Sequence, residues 1–139
     1  MSAHYADASA LLRVLFAEPG PALPLGRGVV VLSSKLVEVE AARALDRGRL
    51  TGHLDDQQTA RKHRELAELL GRVHLAPIDD HVVERARQSF PVSVRALDAL
   101  HVATAELLAR HAGPLQFWTH DTRQAVAAES RGLEVHGAS

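Results

Sequence analysis

Asp7 and Asp121 each follow a short apolar segment, His4-Tyr-Ala and Phe117-Trp-Thr-His, and each precedes a helix-forming stretch. Asp commonly stands there as a helix cap or turn former. Glu40 and Asp98 are harder to explain, because they interrupt apolar stripes. At i, i+4 spacing, Leu36, Glu40 and Ala44 form one line beside Val37, Ala41 and Leu45, so Glu40 faces inward. Glu38 lies about 200° around the same helix and reads as a solvated charge. Asp98 shares a stripe with Val102, Ala105 and Ala109 in the first turn of a helix expected over Val94–His111. A helix dipole offers such a residue about 0.3–1 kcal/mol but does not account for its apolar neighbours. Buried carboxylates cost several kcal/mol, on the order of what a whole domain is stable by, and clustering makes the cost worse. A divalent cation removes the difficulty. Mg²⁺ and Mn²⁺ take oxygen ligands from one or two carboxylates, with water and phosphate oxygens completing the shell.

Other chemistry-bearing residues support less. Among the nine histidines, His101 stands at helical spacing from a stripe-breaking acid, in Asp98-x-x-His101. That pair suits a metal, but helix packing or a hydrogen bond near the site is the simpler role. Tyr5, Phe117 and Trp118 sit on strand segments and read as core. A phosphoacceptor receiver needs a Lys at a late strand exit, and neither Lys35 nor Lys62 stands at one. An Asp-x-Asp phosphatase is excluded because Ser9 follows Asp7 two residues on.

These residues hang on alternating elements. Strands are expected at His4–Asp7, Val29–Leu32, Val73–Leu75, Gln116–Thr119 and Leu133–Val135. Helices are expected over Ser9–Phe16 with Ser9 as cap, from a Ser34 cap through Asp46, and over Thr59–Leu70. Further helices start at Asp79 or Asp80 and run to Gln88, then span Val94–His111 and Thr122–Arg131. Leu97, Leu100, Thr104, Leu107 and Leu108 share one stripe of the Val94–His111 helix, which Gly113-Pro114 ends. Short, continuously apolar strands point to a sheet covered on both faces. The expected fold is an α/β three-layer sandwich, with a central, mainly parallel sheet of four to five short strands, in a single domain spanning residues 1–139.

The composition agrees. A chain of 139 residues with 46% hydrophobic content can build one core unaided. The absence of cysteine excludes disulfide frameworks, thiol nucleophiles and Cys-ligated zinc, and fits a cytoplasmic location. No apolar stretch is long enough for a secretory signal or a membrane span. A formal charge of -1 argues against sequestering nucleic acid by bulk electrostatics, leaving room only for a local basic patch.

Four ordered blocks carry a resemblance: Tyr5-Ala-Asp-Ala-Ser-Ala-Leu11, Ser34-Lys-Leu-Val-Glu-Val-Glu40, Arg95-Ala-Leu-Asp-Ala-Leu-His-Val-Ala-Thr-Ala105, and Thr119-His-Asp121 with Ala127-Ala-Glu-Ser-Arg-Gly-Leu133. Together they resemble the blocks of PIN-domain proteins, and most of all the VapC-type toxins of bacterial type II toxin–antitoxin pairs. Each block is weakly specific and the ordered set is strong. The resemblance implies a Mg²⁺- or Mn²⁺-dependent endoribonuclease with Asp7, Glu40, Asp98 and Asp121 as catalytic and metal-holding acids. It also implies supporting hydrogen bonds from Ser9 and Thr119. Ala6 and Ala8 depart from the larger or hydroxylated residues frequent around the first Asp, without touching the acids.

The implied reaction is in-line attack on an RNA phosphodiester by metal-activated water. The implied partners are an RNA substrate, a second copy in a homodimer, and a small antitoxin covering the acidic pocket. Promoter DNA would be reached only through that antitoxin. Candidate cations for RNA are Arg43, Arg47, Arg49, Arg61, Arg64 and Arg72. A candidate apolar groove for the antitoxin comprises Leu11, Leu12 and Leu15 with Leu54 or Leu66. The rival reading is a non-catalytic PIN-fold module that binds RNA or protein, against which the intact acids count.

Overall fold

A computed structural model describes residues 2–138. In chain order the elements are β1 (Ser2–Ala6), α1 (Ala8–Leu15), β2 (Val29–Ser34), α2 (Leu36–Leu50), α3 (Asp56–Leu70), β3 (His74–Ala76), α4 (Asp80–Ala86), α5 (Ala96–Ala112), β4 (Gln116–Trp118), α6 (Thr122–Ser130) and β5 (Glu134–His136). The strands form one five-stranded sheet in the order β3-β2-β1-β4-β5. Every pairing is parallel.

Strand alternation decides which face each side chain enters. Ala6, Val31 and Trp118 join Leu11, Val37 and Leu69 in a core beneath α1, α2 and α3. Tyr5 and Phe117, directly paired across β1 and β4, face the other way and pack with Val102, Ala105 and Ala127 of α5 and α6. Their rings stack with centroids 5.2 Å apart. Helices therefore cover both faces, and the sandwich is the expected one.

The chain leaves β1 toward β2 and β3, then returns to place β4 and β5 on the opposite side of β1. In open parallel sheets such a reversal opens a crevice beyond the carboxyl ends of the two diverging strands. Asp7 directly follows β1, and Thr119 to Asp121 directly follow β4.

Element bounds depart from the sequence expectations where local hydrogen bonding overrides periodicity. Asp7, not Ser9, caps α1: its carboxylate accepts from the Ala10 N–H, and Ser9 instead donates to that carboxylate. Asp55 and Gln58 form a reciprocal capping box, so α3 starts at Asp56 and not at Thr59. The second helix runs past Asp46 to Leu50, carrying Gly48 inside it. Ser34 still accepts from the Leu36 N–H, although the helix's capping position falls at Lys35. Residues Val94 and Arg95 stay outside α5, and Leu97 is 45% exposed, so the buried stripe begins at Ala99.

The proposed leucine groove is not a groove. Leu11 is wholly buried, and Leu15 and Leu66 pack with Ala41 and Leu45 where α1, α2 and α3 meet, with Leu12 and Leu54 against them. Short helices covering a narrow sheet need those leucines for their own core. Among the described residues, no helix is long and apolar enough to cross a membrane.

Candidate active site

Asp7 is held most firmly. It is 3% exposed, and its Oδ1 accepts from the Ser9 hydroxyl at 2.6 Å and the Ala10 N–H at 2.9 Å. Its Oδ2 accepts from the Thr119 hydroxyl at 2.5 Å. Each hydroxyl is itself oriented by a backbone donor from the turn after β4: the His120 N–H donates to Ser9 and the Asp121 N–H to Thr119. A carboxylate offers about four lone-pair sites, so these donors leave Asp7 close to one for anything further. Burial pushes its pKa up, and the Ser9, Thr119 and Ala10 hydrogen bonds oppose that shift.

Glu40 reaches the crevice from the second turn of α2. Its Oε1 lies 2.6 Å from His101 Nε2, and His101 Nδ1 lies 2.7 Å from the Tyr5 hydroxyl. A carboxylate accepts, so Nε2 donates to Glu40, and the Tyr5 hydroxyl hydrogen-bonds the other ring nitrogen. Burial, reinforced by the charge of Asp7, holds the Tyr5 phenol well above its ordinary range, which keeps it a donor. Glu38 points elsewhere and pairs with Lys35.

Asp98 is half-buried in the first turn of α5, and its carboxylate has no hydrogen-bond or ion-pair partner among the described residues. Burial raises its pKa first, and the charges of Asp121 and Asp7 raise it further. Asp121 is exposed at the start of α6, where one carboxylate oxygen accepts from the Arg123 and Gln124 N–H groups and the other carries no bond.

These acids line one cleft of about 220 Å³ together with Ser9, Leu12, His101 and Gln124. Among the described residues no three carboxylates or imidazoles stand close enough to ligate one ion by themselves. The donor set is all oxygen, and its open members come from separate elements. That suits a cation that keeps most of its water and touches one or two carboxylates, the usual habit of Mg²⁺.

Comparison with known proteins gives this arrangement a family. The PIN domain family model matches residues 5–130. The chain belongs to the PIN-domain family. It is 35% identical over 138 residues to ribonuclease VapC46 of Mycobacterium tuberculosis, covering 97% of each chain. The resemblance to VapC-type toxins read from the four blocks therefore holds.

Solved structures agree on the fold alone, since their identities are low. A chain of VapBC2 from Rickettsia felis, crystallised with a DNA fragment from its promoter, aligns with TM-score 0.67 at 10% identity, covering 96% of this chain and 97% of that one. PAE2754 from Pyrobaculum aerophilum aligns with TM-score 0.59 at 19% identity, covering 98% and 84%. A toxin–antitoxin complex from Klebsiella pneumoniae aligns with TM-score 0.56 at 19% identity, covering 96% and 95%.

Within this PIN-domain chain, none of the six expected RNA-binding cations lines the cleft, and three of them are in ion pairs. Arg43 and Arg49 both bind Asp46, and Arg61 lies against Glu65. Arg72 precedes β3, at the amino-terminal ends of the strands and away from the cleft. Arg47 and Arg64 carry no ion pair among the described residues, but neither lines the cleft. The sequence reading missed Arg95, Arg123 and Gln124. Gln124 is 2% exposed and bridges the site, facing Thr119 through its Oε1 and the Asp98 carbonyl through its Nε2, each at 3.4 Å. The available signal was proximity to the acids: Arg95 precedes Asp98 by one helical turn, and Arg123 and Gln124 closely follow Asp121.

Proposed function

We propose that this chain is a Mg²⁺- or Mn²⁺-dependent endoribonuclease and the toxin of a toxin–antitoxin pair. One observation carries the reading: Asp7, Asp98 and Asp121 share a cleft, and among the described residues no Lys or Arg pairs with any of them. Charge left uncompensated in a half-buried cleft is a standing cost that a cation from outside removes. When bound, the ion supplies activated water and positive charge for phosphodiester hydrolysis.

Asp7, Asp98, Asp121 and Glu40 would hold the ion, one or two of them by direct contact and the others through its bound water. Asp7 is the fixed point, because Ser9, Thr119 and the Ala10 N–H prevent its rotation. Asp98 and Asp121 present open oxygens from two different helices. His101 orients Glu40 through its Nε2–H, while Tyr5 holds the ring from behind. Gln124 ties α6 to α5 across the cleft wall.

The substrate is RNA, as the name of the M. tuberculosis relative suggests for that protein. An antitoxin partner is supported by two of the fold neighbours, which were solved as a VapBC assembly and a toxin–antitoxin complex. The chain acts as a homodimer in the cytoplasm, and promoter DNA is contacted by the antitoxin.

The test is cleavage of labelled cellular RNA by purified protein. Cleavage is expected with Mg²⁺ or Mn²⁺ and not with EDTA, and Asp98→Asn should lower the rate by about 10²-fold or more while leaving a folded protein. Full activity in EDTA or in Asp98→Asn overturns the metal reading. RNA binding without cleavage under any divalent ion favours the non-catalytic module.

A further inference from the structure

Beside the acid cleft lies a second cavity, of about 250 Å³, between the first turns of α5 and α6. Asp98, Asp121 and Gln124 line both, so they form a shared wall. The rest of its polar lining is of opposite character, with Arg95 and Arg123 accompanied by the hydroxyl residues Ser93 and Thr122. We propose that this cavity is a phosphate subsite, in which Arg95 and Arg123 hold a backbone phosphate of the RNA strand next to the one in the acid cleft. The proposal rests on the nuclease reading above and deepens it.

The two guanidinium groups are unspent. Arg43, Arg49, Arg61, Arg85, Arg87 and Arg131 each have a carboxylate within 4.0 Å. Arg95 and Arg123 have none among the described residues, although each shares a cavity with two aspartates. Arg95 stands at the capping position before α5 with an extended backbone, lines the cavity together with Asp98, and makes no ion pair with it among the described residues. Arg123 donates its backbone N–H to Asp121 and leaves its side chain uncommitted.

The need for such a subsite follows from the cleft. Carboxylates repel a polyanion, and a hydrated ion offsets that repulsion only at the phosphate it touches. Affinity for the strand has to come from fixed cations close by. Guanidinium forks match phosphate oxygens two at a time, and the flanking hydroxyls can donate as well. No aromatic side chain lines the cavity, so it has nothing on which to stack a base. Contacts of this kind position a strand without reading its sequence.

A matched control exists at the other end of the sheet. Arg27 and Arg72 line one cavity near the start of β2, also without ion pairs among the described residues. The experiment measures binding of a fluorescein-labelled, mixed-sequence, single-stranded RNA 12-mer by anisotropy in Mg²⁺ across a salt series, in an Asp98→Asn background that suppresses cleavage. Arg95→Gln with Arg123→Gln is expected to weaken binding by roughly tenfold and to reduce the log–log salt slope by about 1.4, two contacts at about 0.7 each. Arg27→Gln with Arg72→Gln removes the same charge and is expected to leave both nearly unchanged. Each single cleft-side variant should lower the slope by about half as much, which keeps the test decisive if the double variant misfolds.

Equal losses in the two double variants mean generic attraction and overturn the subsite. Unchanged RNA binding by the cleft-side pair also overturns it; loss of co-purification with the antitoxin would then assign the cavity to a protein carboxylate. Absence of metal-dependent cleavage in the parent protein counts against the nuclease reading instead, so the two failures are distinguishable.

Discussion

Glu106 and Asp98 stand on the same helix and receive opposite treatment. Glu106 is 6% exposed and fully answered: Arg85 donates to it through Nε and Nη2, and Arg131 through Nη1. Arg131 also lies over the Phe90 ring, 3.9 Å from its centroid, and donates to the Gln88 and Ser89 carbonyls. That cluster joins α4, α5 and α6 and fastens the segment leading into α5. Asp98, nearer the sheet's carboxyl end, pairs with no Lys or Arg among the described residues, and neither does its neighbour Asp7. Where this chain buries a carboxylate as part of its frame it supplies arginine; in the cleft it withholds one. A carboxylate's environment, more than its burial, separates an acid answered within the frame from one left open to the cleft.

The contrast can be broken most forcefully at Glu106. Glu106→Gln leaves two arginines facing a neutral group, one of them nearly buried, and should destabilise the protein by about 3–5 kcal/mol. Urea unfolding would show this as a large fall in midpoint, with cleavage per folded molecule retained. A loss under about 1 kcal/mol would mean that the arginines are solvated and that Glu106 is no different from a surface acid.

Thr119→Val is expected to act next most strongly. It keeps the side chain's shape but removes a buried donor to the Asp7 carboxylate, at a cost of about 1.5–3 kcal/mol without divalent ions. The same change should push the Asp7 pKa further up, visible as a shift of the activity–pH profile to higher pH.

The smallest effect concerns pH. Burial, together with neighbouring charge at Asp98, raises both Asp7 and Asp98, so the native state holds protons that the unfolded state has released. Between the ordinary aspartate range and those raised values, stability therefore falls as pH rises. In EDTA, mild acidification from neutral pH should raise the melting temperature until ordinary acid unfolding sets in lower down. Mg²⁺ and Asp98→Asn should each flatten that slope. A melting temperature that climbs with pH through the same window would show that the cleft acids are already compensated.

Much of the frame was legible in the sequence because it rests on short-range rules. The apolar runs at Val29 and Phe117 and the Gly113 stop announced their elements, and the stripe containing Glu40 placed that residue facing inward. Caps were less legible, since Ser9 and Asp7 are both good capping residues and only the contact with Thr119 decides between them. The leucines failed for a related reason. An apolar helix face looks the same whether it meets the next helix or a partner, and Leu15 and Leu66 met each other's neighbourhood. At the site, Glu40 and Asp98 stood out because they broke a pattern, and Asp7 and Asp121 because they follow strands, whereas Arg95 and Arg123 did neither. A cation next to an acid at helical spacing normally reads as an ion pair, and its failure to form one is visible only in three dimensions.

The hydroxyls of Ser9 and Thr119 join the turn after β4 to the first aspartate of the chain, across more than a hundred residues. That bridge cannot exist until β4 has been laid beside β1. A ribosome making this protein thus has to release the chain past Asp121 before Asp7 acquires its supports. A copy that stops short of β4 would carry Asp7, Glu40 and Asp98 without the Thr119 hydroxyl that fixes the first of them.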